Sequence, residues 1–73
     1  MIRYTFDVLD ALSKAGYTTY KLRKDKIMGE RTIQQLRTGQ HVSLETIATI
    51  CKLLRCQPGD ILVYMQEADD ERE

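Results

Sequence analysis

The chain contains few of the residues from which metal and catalytic centres are built. It has one histidine, His41, and two cysteines, Cys51 and Cys56, at a spacing of five. These residues cannot supply a zinc-ligand set or the Ser–His or Cys–His pair that nucleophilic catalysis needs. A phosphate-cradling glycine-rich loop is absent, and Asp7 and Asp10 fall on an exposed helix face. We therefore expect no enzyme, metal site or cofactor, and we expect both cysteines to be reduced packing residues.

Long apolar runs and a disorder-promoting composition are also missing. No stretch approaches the roughly 20 apolar residues that a transmembrane helix needs, and residues 1–7 lack the apolar core of a signal peptide. We therefore expect a cytoplasmic protein that does not contact a membrane. One proline, four glycines and 42% hydrophobic residues are typical of a globular chain, and 73 residues allow one small domain.

The net charge is zero, but the charges are unevenly distributed. Residues 1–41 carry eight Lys/Arg against four Asp/Glu, and residues 42–73 carry three against seven. Between Lys14 and Gln40, seven basic residues accompany only two acidic ones. A solvated surface explains most charge runs of this length. Here the basic cluster coincides with a two-helix motif, which favours a nucleic-acid partner.

The helical spacing of apolar residues predicts five helices. Their predicted ranges are 6–14, 19–26, 30–38, 44–54 and a short helix that starts at Pro58. The expected N-caps are Thr5, Thr18 and Ser43. Gly16 and Gly39 suit the left-handed residue that follows the end of a helix, and Pro58 suits a first helical position.

The same spacing predicts which residues are buried. The expected core residues are Phe6, Leu9, Leu12, Ser13, Tyr17, Leu22, Ile33, Leu36, Leu44, Ile47, Ala48, Ile50, Cys51, Leu54, Ile61 and Leu62. Two segments, 2–4 and 61–65, do not fit an all-helical account. They either pair as a small two-stranded ribbon from the termini, or pack as loose ends over the first helix. Residues 66–73 form an acidic tail that we expect to be disordered, which leaves 1–65 as the domain.

Residues 18–39 hold two short helical segments separated by only a few residues. The second segment turns its polar side chains outward: Glu30, Arg31, Gln34, Gln35 and Arg37. Leu22, Ile33 and Leu36 are expected to face inward. This arrangement is that of a DNA-reading helix-turn-helix.

Three short motifs, in order and at the correct spacing, carry a family resemblance. They are MIRY at residues 1–4, RTIQQLRTG at residues 31–39 and CQPGDIL at residues 56–62. The chain resembles the phage repressor and Cro type of helix-turn-helix domain, within the Xre-like regulators of bacteria, and most closely the small single-domain members. The resemblance covers nearly the whole chain. It implies an all-α, five-helix lambda-repressor-like fold that binds double-stranded DNA sequence-specifically, with the helix at 30–38 in the major groove.

The resemblance also implies contact residues. It places base contacts at Glu30, Arg31 and Gln35. It places DNA backbone contacts at Thr19, Lys21, Arg37, Thr38, Gln40 and His41, with Lys24 and Lys26 as longer-range charges. Arginine can bond guanine bidentately, and glutamine can bond adenine. Glu30 could accept from cytosine N4, or it could only favour the helix N-terminus while repelling phosphate.

Two residues depart from the family pattern. Arg23 stands where a small residue of the second helix usually packs against the third, and Ile27 stands where the turn usually has glycine. Because a β-branched residue disfavours the left-handed conformation, we expect Lys26 or Gly29 to take the unusual dihedral angles.

The expected partners are DNA and a second copy of the chain. One short reading helix covers only a half-site, which leads us to expect a homodimer. Its first candidate surface is the fifth helix with residues 61–65, where Val63 and Met65 could be exposed. The neutral charge and acidic tail keep a second function open, a protein-binding adaptor or antitoxin-like partner that uses the same helices. A steep salt dependence of DNA binding would distinguish the two.

Overall fold

Five helices and a two-stranded ribbon make up the fold of residues 1–66. The computed structural model describes residues 1–66. The elements are, in order, β1 (Ile2–Tyr4), α1 (Val8–Lys14), α2 (Thr19–Lys24), α3 (Glu30–Arg37), α4 (Leu44–Leu54), α5 (Pro58–Ile61) and β2 (Leu62–Tyr64). The predicted all-α, five-helix architecture is confirmed. We expect residues 66–73 to be disordered, and this stays a prediction because residues 67–73 lie outside the described residues. No helix within residues 1–66 is long and apolar enough to cross a membrane.

One aliphatic side chain from every helix lies at the centre of the core. Leu12, Leu22, Ile33, Ile50 and Ile61 come from α1 to α5 in that order, and each is 0% exposed. The remaining buried apolar residues are Val8, Met28, Leu36 and Ile47. Full burial of such a side chain stabilises a fold by about 1.5–3 kcal/mol. The helices therefore depend on one shared cluster.

Most of the predicted helix ends are confirmed. Thr18 and Ser43 cap α2 and α4, and each accepts the backbone N–H three residues further on. Pro58 is the first residue of α5. Gly16 and Gly39 follow the ends of α1 and α3 with φ of +100° and +79°, a conformation that costs a residue with a Cβ more than it costs glycine.

The predicted start of α1 is wrong, and its predicted buried face is right only in part, since Leu12 is buried and Leu9 packs against the core but Ser13 is exposed. Asp7 caps this helix by accepting the N–H of Asp10, whereas the expected cap, Thr5, lies before it. Phe6 precedes the helix and is exposed, and Val8, which was not expected in the core, is buried. Both Thr5 and Asp7 are good capping residues, so the choice between them depends on how the helix packs.

The boundaries of α4 are as predicted, but its buried stripe is narrower. Ile47 and Ile50 are buried, whereas Ala48 is exposed and Leu44 is 84% exposed. The helix ends at Arg55, which has a left-handed conformation with φ of +56°.

Cys51 and Cys56 meet where α4 ends. Both are free and half-buried, and both pack against the core cluster, as expected. The Cys56 N–H donates to the Cys51 carbonyl at 3.0 Å, a bond typical of helix C-termini. Burial and then the neighbouring Cys51 raise the pKa of the Cys56 thiol, which keeps it in its unreactive protonated form.

The turn between α2 and α3 is made by Lys26. Of the two candidates, Lys26 has the positive φ, +57°, while Gly29 has φ of −80° and precedes α3 as its N-cap. The Ile27 N–H donates to the Leu22 carbonyl at 2.9 Å. Met28 is buried, which anchors the turn to the core. Because of this turn, α2 ends two residues earlier than predicted.

The ribbon predicted from the termini is confirmed, and the alternative of loose ends is wrong. β1 and β2 pair antiparallel, with Ile2 opposite Tyr64 and Tyr4 opposite Leu62. Beyond the strands, the Met65 N–H donates to the Met1 carbonyl at 2.7 Å. The two ends of the domain are therefore joined beside the core.

Two left-handed residues give the first testable prediction. The left-handed conformation of Lys26 and Arg55 costs a residue with a Cβ about 1–2 kcal/mol. Replacement by glycine removes this cost, but the greater freedom of glycine in the unfolded chain reduces the gain in stability by roughly 0.5–1 kcal/mol. Lys26→Gly and Arg55→Gly should each raise the free energy of unfolding in urea by roughly 0.5–1 kcal/mol. Lys52→Gly, inside α4, is the control and should lower it by about 1 kcal/mol. Lower stability in both left-handed variants would contradict the assignment.

Candidate nucleic-acid interface

The burial of two residues fixes the rotation of α3. Ile33 and Leu36 are buried in the core, so the opposite face of the eight-residue helix projects outward. Arg31 and Gln34 are exposed on that face, and Gln35 is half-buried at its edge. The outward face therefore presents guanidinium and amide groups, which can donate and accept hydrogen bonds.

Five polar residues line one open groove along this face. They are Arg31, Gln34, Gln35, Thr38 and Gln40. The structure thus brings together two of the predicted base contacts and two of the predicted backbone contacts. The helical members lie at positions i, i+3, i+4 and i+7, which is one face of a helix.

Gln34 is the lining residue that the predicted contacts omitted. It is exposed, and its Oε1 accepts from Arg37 Nη1 at 3.3 Å. The i+3 spacing from Arg31 is a sequence signal that could have identified it. Arg37, a predicted backbone contact, therefore lies at the edge of the groove beside this amide.

Thr38 uses its hydroxyl within the helix end. Its Oγ1 donates to the Gln34 carbonyl at 2.9 Å, and its N–H donates to the same carbonyl at 3.0 Å. A contact from this hydroxyl to a phosphate requires the hydroxyl to rotate away from Gln34. Thr38 therefore lines the groove, but its hydroxyl and its backbone N–H both already donate hydrogen bonds within the helix end.

Glu30 lies apart from the groove along α3. Its Oε1 accepts from Arg23 Nε at 2.5 Å, which joins the first residue of α3 to the end of α2. The pair lines a second open groove with Lys26, Met28 and Gly29. Glu30 therefore lines a different groove from Arg31 and Gln35, the other two predicted base contacts.

Two of the three basic side chains of α2, those of Lys21 and Lys24, lie over tyrosine rings. Lys21 Nζ is 5.8 Å from the centroid of the Tyr17 ring, and Lys24 Nζ is 5.8 Å from that of Tyr20. Such cation–π contacts restrain an ammonium group without neutralising its charge. Thr19 is half-buried at the start of this helix, where the N–H groups of the first turn have no intrahelical acceptor.

The ribbon holds the loop that follows α3. The Tyr4 hydroxyl donates to the Gln40 carbonyl at 2.6 Å. Burial raises the pKa of Tyr4, so the donor remains protonated at neutral pH. His41 lines a third groove with residues 1–4 and Gly39. The structure therefore places His41 beside β1 and the Gln40 side chain beside α3.

Within residues 1–66, no three His, Cys, Asp or Glu side chains are grouped so that they could hold a metal ion.

Two comparisons with known proteins agree on one family. Residues 11–67 match the model of the Cro/C1-type HTH DNA-binding domain. The chain is 36% identical over 63 residues to the "Uncharacterized HTH-type transcriptional regulator YozG" of Bacillus subtilis (strain 168), an alignment that covers 86% of this chain and 75% of that protein. No solved structure matches the chain significantly. Both matches include α3 and the loop after it, which form the groove.

The bond from Tyr4 to the loop after α3 gives the second prediction. Tyr4→Phe should lower the free energy of unfolding at pH 7 by roughly 0.5–1.5 kcal/mol, because it removes one hydrogen bond. The raised pKa of Tyr4 means that the bond contributes fully below the ordinary tyrosine pKa of 10.0. Its contribution is lost as the pH rises through the raised value.

Urea denaturation from pH 7 to pH 11 would measure this effect. The difference between wild type and Tyr4→Phe should shrink at alkaline pH. Tyr20→Phe is the control, because Tyr20 is 68% exposed and lies outside the ribbon, and the stability of this variant should match the wild type at pH 7. A Tyr4→Phe variant as stable as the wild type at pH 7 would show that the bond contributes nothing.

Proposed function

The chain belongs to the Cro/C1-type helix-turn-helix family of DNA-binding domains, and we propose that it regulates transcription by binding specific double-stranded DNA with α3 in the major groove. The observation that carries this proposal is the groove of Arg31, Gln34 and Gln35 on the outward face of α3. This family is defined by DNA binding, and the proposed role involves no catalytic step.

The shape and chemistry of α3 support its position in the major groove. That groove is wide enough to admit an α-helix, and it presents a different pattern of donors and acceptors for each base pair. Arg31 can donate two hydrogen bonds to guanine, and Gln34 or Gln35 can donate to and accept from adenine. Each good bidentate contact is worth about 1–3 kcal/mol of discrimination. Glu30 is the remaining proposed base contact. Because its Oε1 is bonded to Arg23 Nε, only its Oε2 is available to accept a hydrogen bond from a base.

The residues around the groove are proposed to contact the DNA backbone. They are Thr19, Lys21, Arg37, Thr38, Gln40 and His41. Support comes from the basic charge of residues 14–40 and from the Tyr4 hydrogen bond that fixes the loop after α3. Contacts of this kind set the orientation of a protein on the duplex without reading its sequence.

We propose that two copies bind together through the ribbon. Six of the eight large apolar residues that are exposed within residues 1–66 lie at this end of the domain. They are Met1, Ile2, Phe6, Val63, Tyr64 and Met65. This set extends the surface predicted from residues 61–65 to include β1. One α3 reads only a half-site, so a second copy would supply the other half. Residues 1–65 are proposed to be sufficient as the domain, because the ribbon closes between Met1 and Met65.

The base contacts can be tested with duplexes selected from a random 20-bp library by the wild-type protein. Arg31→Ala, Gln34→Ala and Gln35→Ala should relax the base preference, because each removes a group that can bond a base edge. Arg37→Ala should weaken binding to all duplexes alike and reduce the slope of log affinity against log salt by about 0.9. Lys52→Ala, on α4, is the control and should bind as the wild type does.

Two outcomes would contradict the proposal. An unchanged base preference in the Arg31, Gln34 and Gln35 variants would exclude this face of α3 as the reading surface. If the wild type has no DNA affinity even at low salt, the adaptor function would be favoured instead.

The ribbon interface can be tested by placing a charge on it. Tyr64→Asp should convert the protein to a monomer in sedimentation equilibrium and weaken binding to a two-half-site duplex, because a buried unpaired carboxylate is costly at an interface. Leu44→Asp is the matched control, because Leu44 is also an exposed large apolar residue but lies on α4. A Tyr64→Asp variant that stays dimeric would place the interface elsewhere.

A further inference from the structure

One ion pair connects the two helices of the helix-turn-helix. Arg23 is the penultimate residue of α2 and Glu30 is the first residue of α3, and Arg23 Nε lies 2.5 Å from Glu30 Oε1. Within residues 1–66, no other side-chain hydrogen bond or ion pair joins α2 to α3. The two side chains are 42% and 60% exposed. Exposed pairs contribute a median of only about 0–1 kcal/mol to stability, so the importance of this pair lies in where it places charge.

The pair changes the electrostatic effect of Glu30 at the proposed DNA surface. A carboxylate at the first position of a helix is favoured by the helix dipole, but it repels the phosphates that the surface must approach. The Arg23 guanidinium offsets this negative charge at contact distance. Glu30 can therefore remain on the reading helix without opposing the attraction between the basic surface and DNA.

The pair also leaves specific atoms available. It joins Nε to Oε1. Glu30 Oε2 and the two Nη groups of Arg23 have no hydrogen-bond partner within residues 1–66. Oε2 is an acceptor at the N-terminal end of α3, and the Nη groups are donors beside it. A base-edge amine matches the free acceptor, and a phosphate matches the free donors.

We propose that Arg23 is a positioning residue for base recognition. It orients the Glu30 carboxylate so that Oε2 accepts from the N4 amine of a cytosine, while its own Nη groups donate to a neighbouring phosphate. This inference rests on the proposed function, because it requires α3 to lie in the major groove. It decides between the two roles that the sequence left open for Glu30, in favour of a base contact.

The planar guanidinium accounts for an arginine at this position. It can donate through Nε to a carboxylate and through Nη to a phosphate at the same time, because its donors point in fixed directions. Lysine carries the same charge on a single nitrogen and cannot hold the carboxylate in one orientation. Arg23→Lys therefore separates the effect of charge from the effect of orientation.

A double-mutant cycle tests the inference. The probes are the 20-bp duplex selected by the wild-type protein and its single-base variants, with fluorescence anisotropy as the readout. Glu30→Gln should lose the preference for cytosine at one position by about tenfold. Arg23→Ala and Arg23→Lys should lose the same preference, and Arg23→Lys should retain more of the overall affinity. Adding Arg23→Ala to Glu30→Gln should change the preference at that position no further.

Controls separate this role from a structural one. Urea denaturation should show that each variant is folded, since the pair is exposed. Lys14→Ala breaks a different exposed ion pair, between Lys14 and Asp10 at 3.1 Å on α1, and should leave the base preference unchanged.

Two results would overturn the inference while leaving the proposed function intact. In the first, Arg23→Ala weakens binding to every base variant equally, so that Arg23 contacts phosphate only. In the second, the effects of Arg23→Ala and Glu30→Gln on base preference are additive. Failure of the wild-type protein to bind any duplex would instead overturn the proposed function, and the inference with it.

Discussion

The convergence of five aliphatic side chains, one from each helix, is the constraint on which the rest of the structure depends. No helix within residues 1–66 exceeds eleven residues, and isolated helices of this length are marginal in water. The helices are therefore stabilised mainly by burial in the core cluster to which these five residues belong. The same contacts set the rotation of α3 through Ile33, so the core determines which polar side chains face outward. The proposed reading surface is in this sense a consequence of the packing behind it.

Features with a local cause could be predicted from the sequence. Thr18, Ser43 and Pro58 mark helix starts through their own hydrogen bonds or ring geometry, and the β-branched and aromatic segments at both ends predicted the ribbon. The start of α1 could not be predicted in this way, because two capping residues lie within three positions and only packing decides between them. The burial of Met28 likewise depends on a turn whose shape is set by contacts with the rest of the fold.

The candidate site likewise has a part that could be predicted from the sequence and a part that could not. Arg31, Gln35, Thr38 and Gln40 share a groove because helical spacing and the family pattern both place them on one side, and these were predictable. The pair between Arg23 and Glu30 was not, since its members lie seven positions apart on different helices and meet only because Lys26 turns the chain between them. A contact between two helices that depends on a left-handed residue in the turn between them leaves no periodic signal in the sequence. The roles of the individual residues on DNA remain predictions.

The pairing of residues 1–5 with 61–65 also imposes an order on folding. These contacts span about sixty positions, and closing a loop of that length is entropically costly until other structure brings its ends together. During synthesis, β1 must wait for almost the whole domain to leave the ribosome before its partner strand exists. Tyr4 anchors the loop after α3 from that ribbon. The bond from Tyr4 to the loop after α3 therefore forms late in a newly made chain, so a chain still being translated would lack this support for the proposed DNA-binding surface.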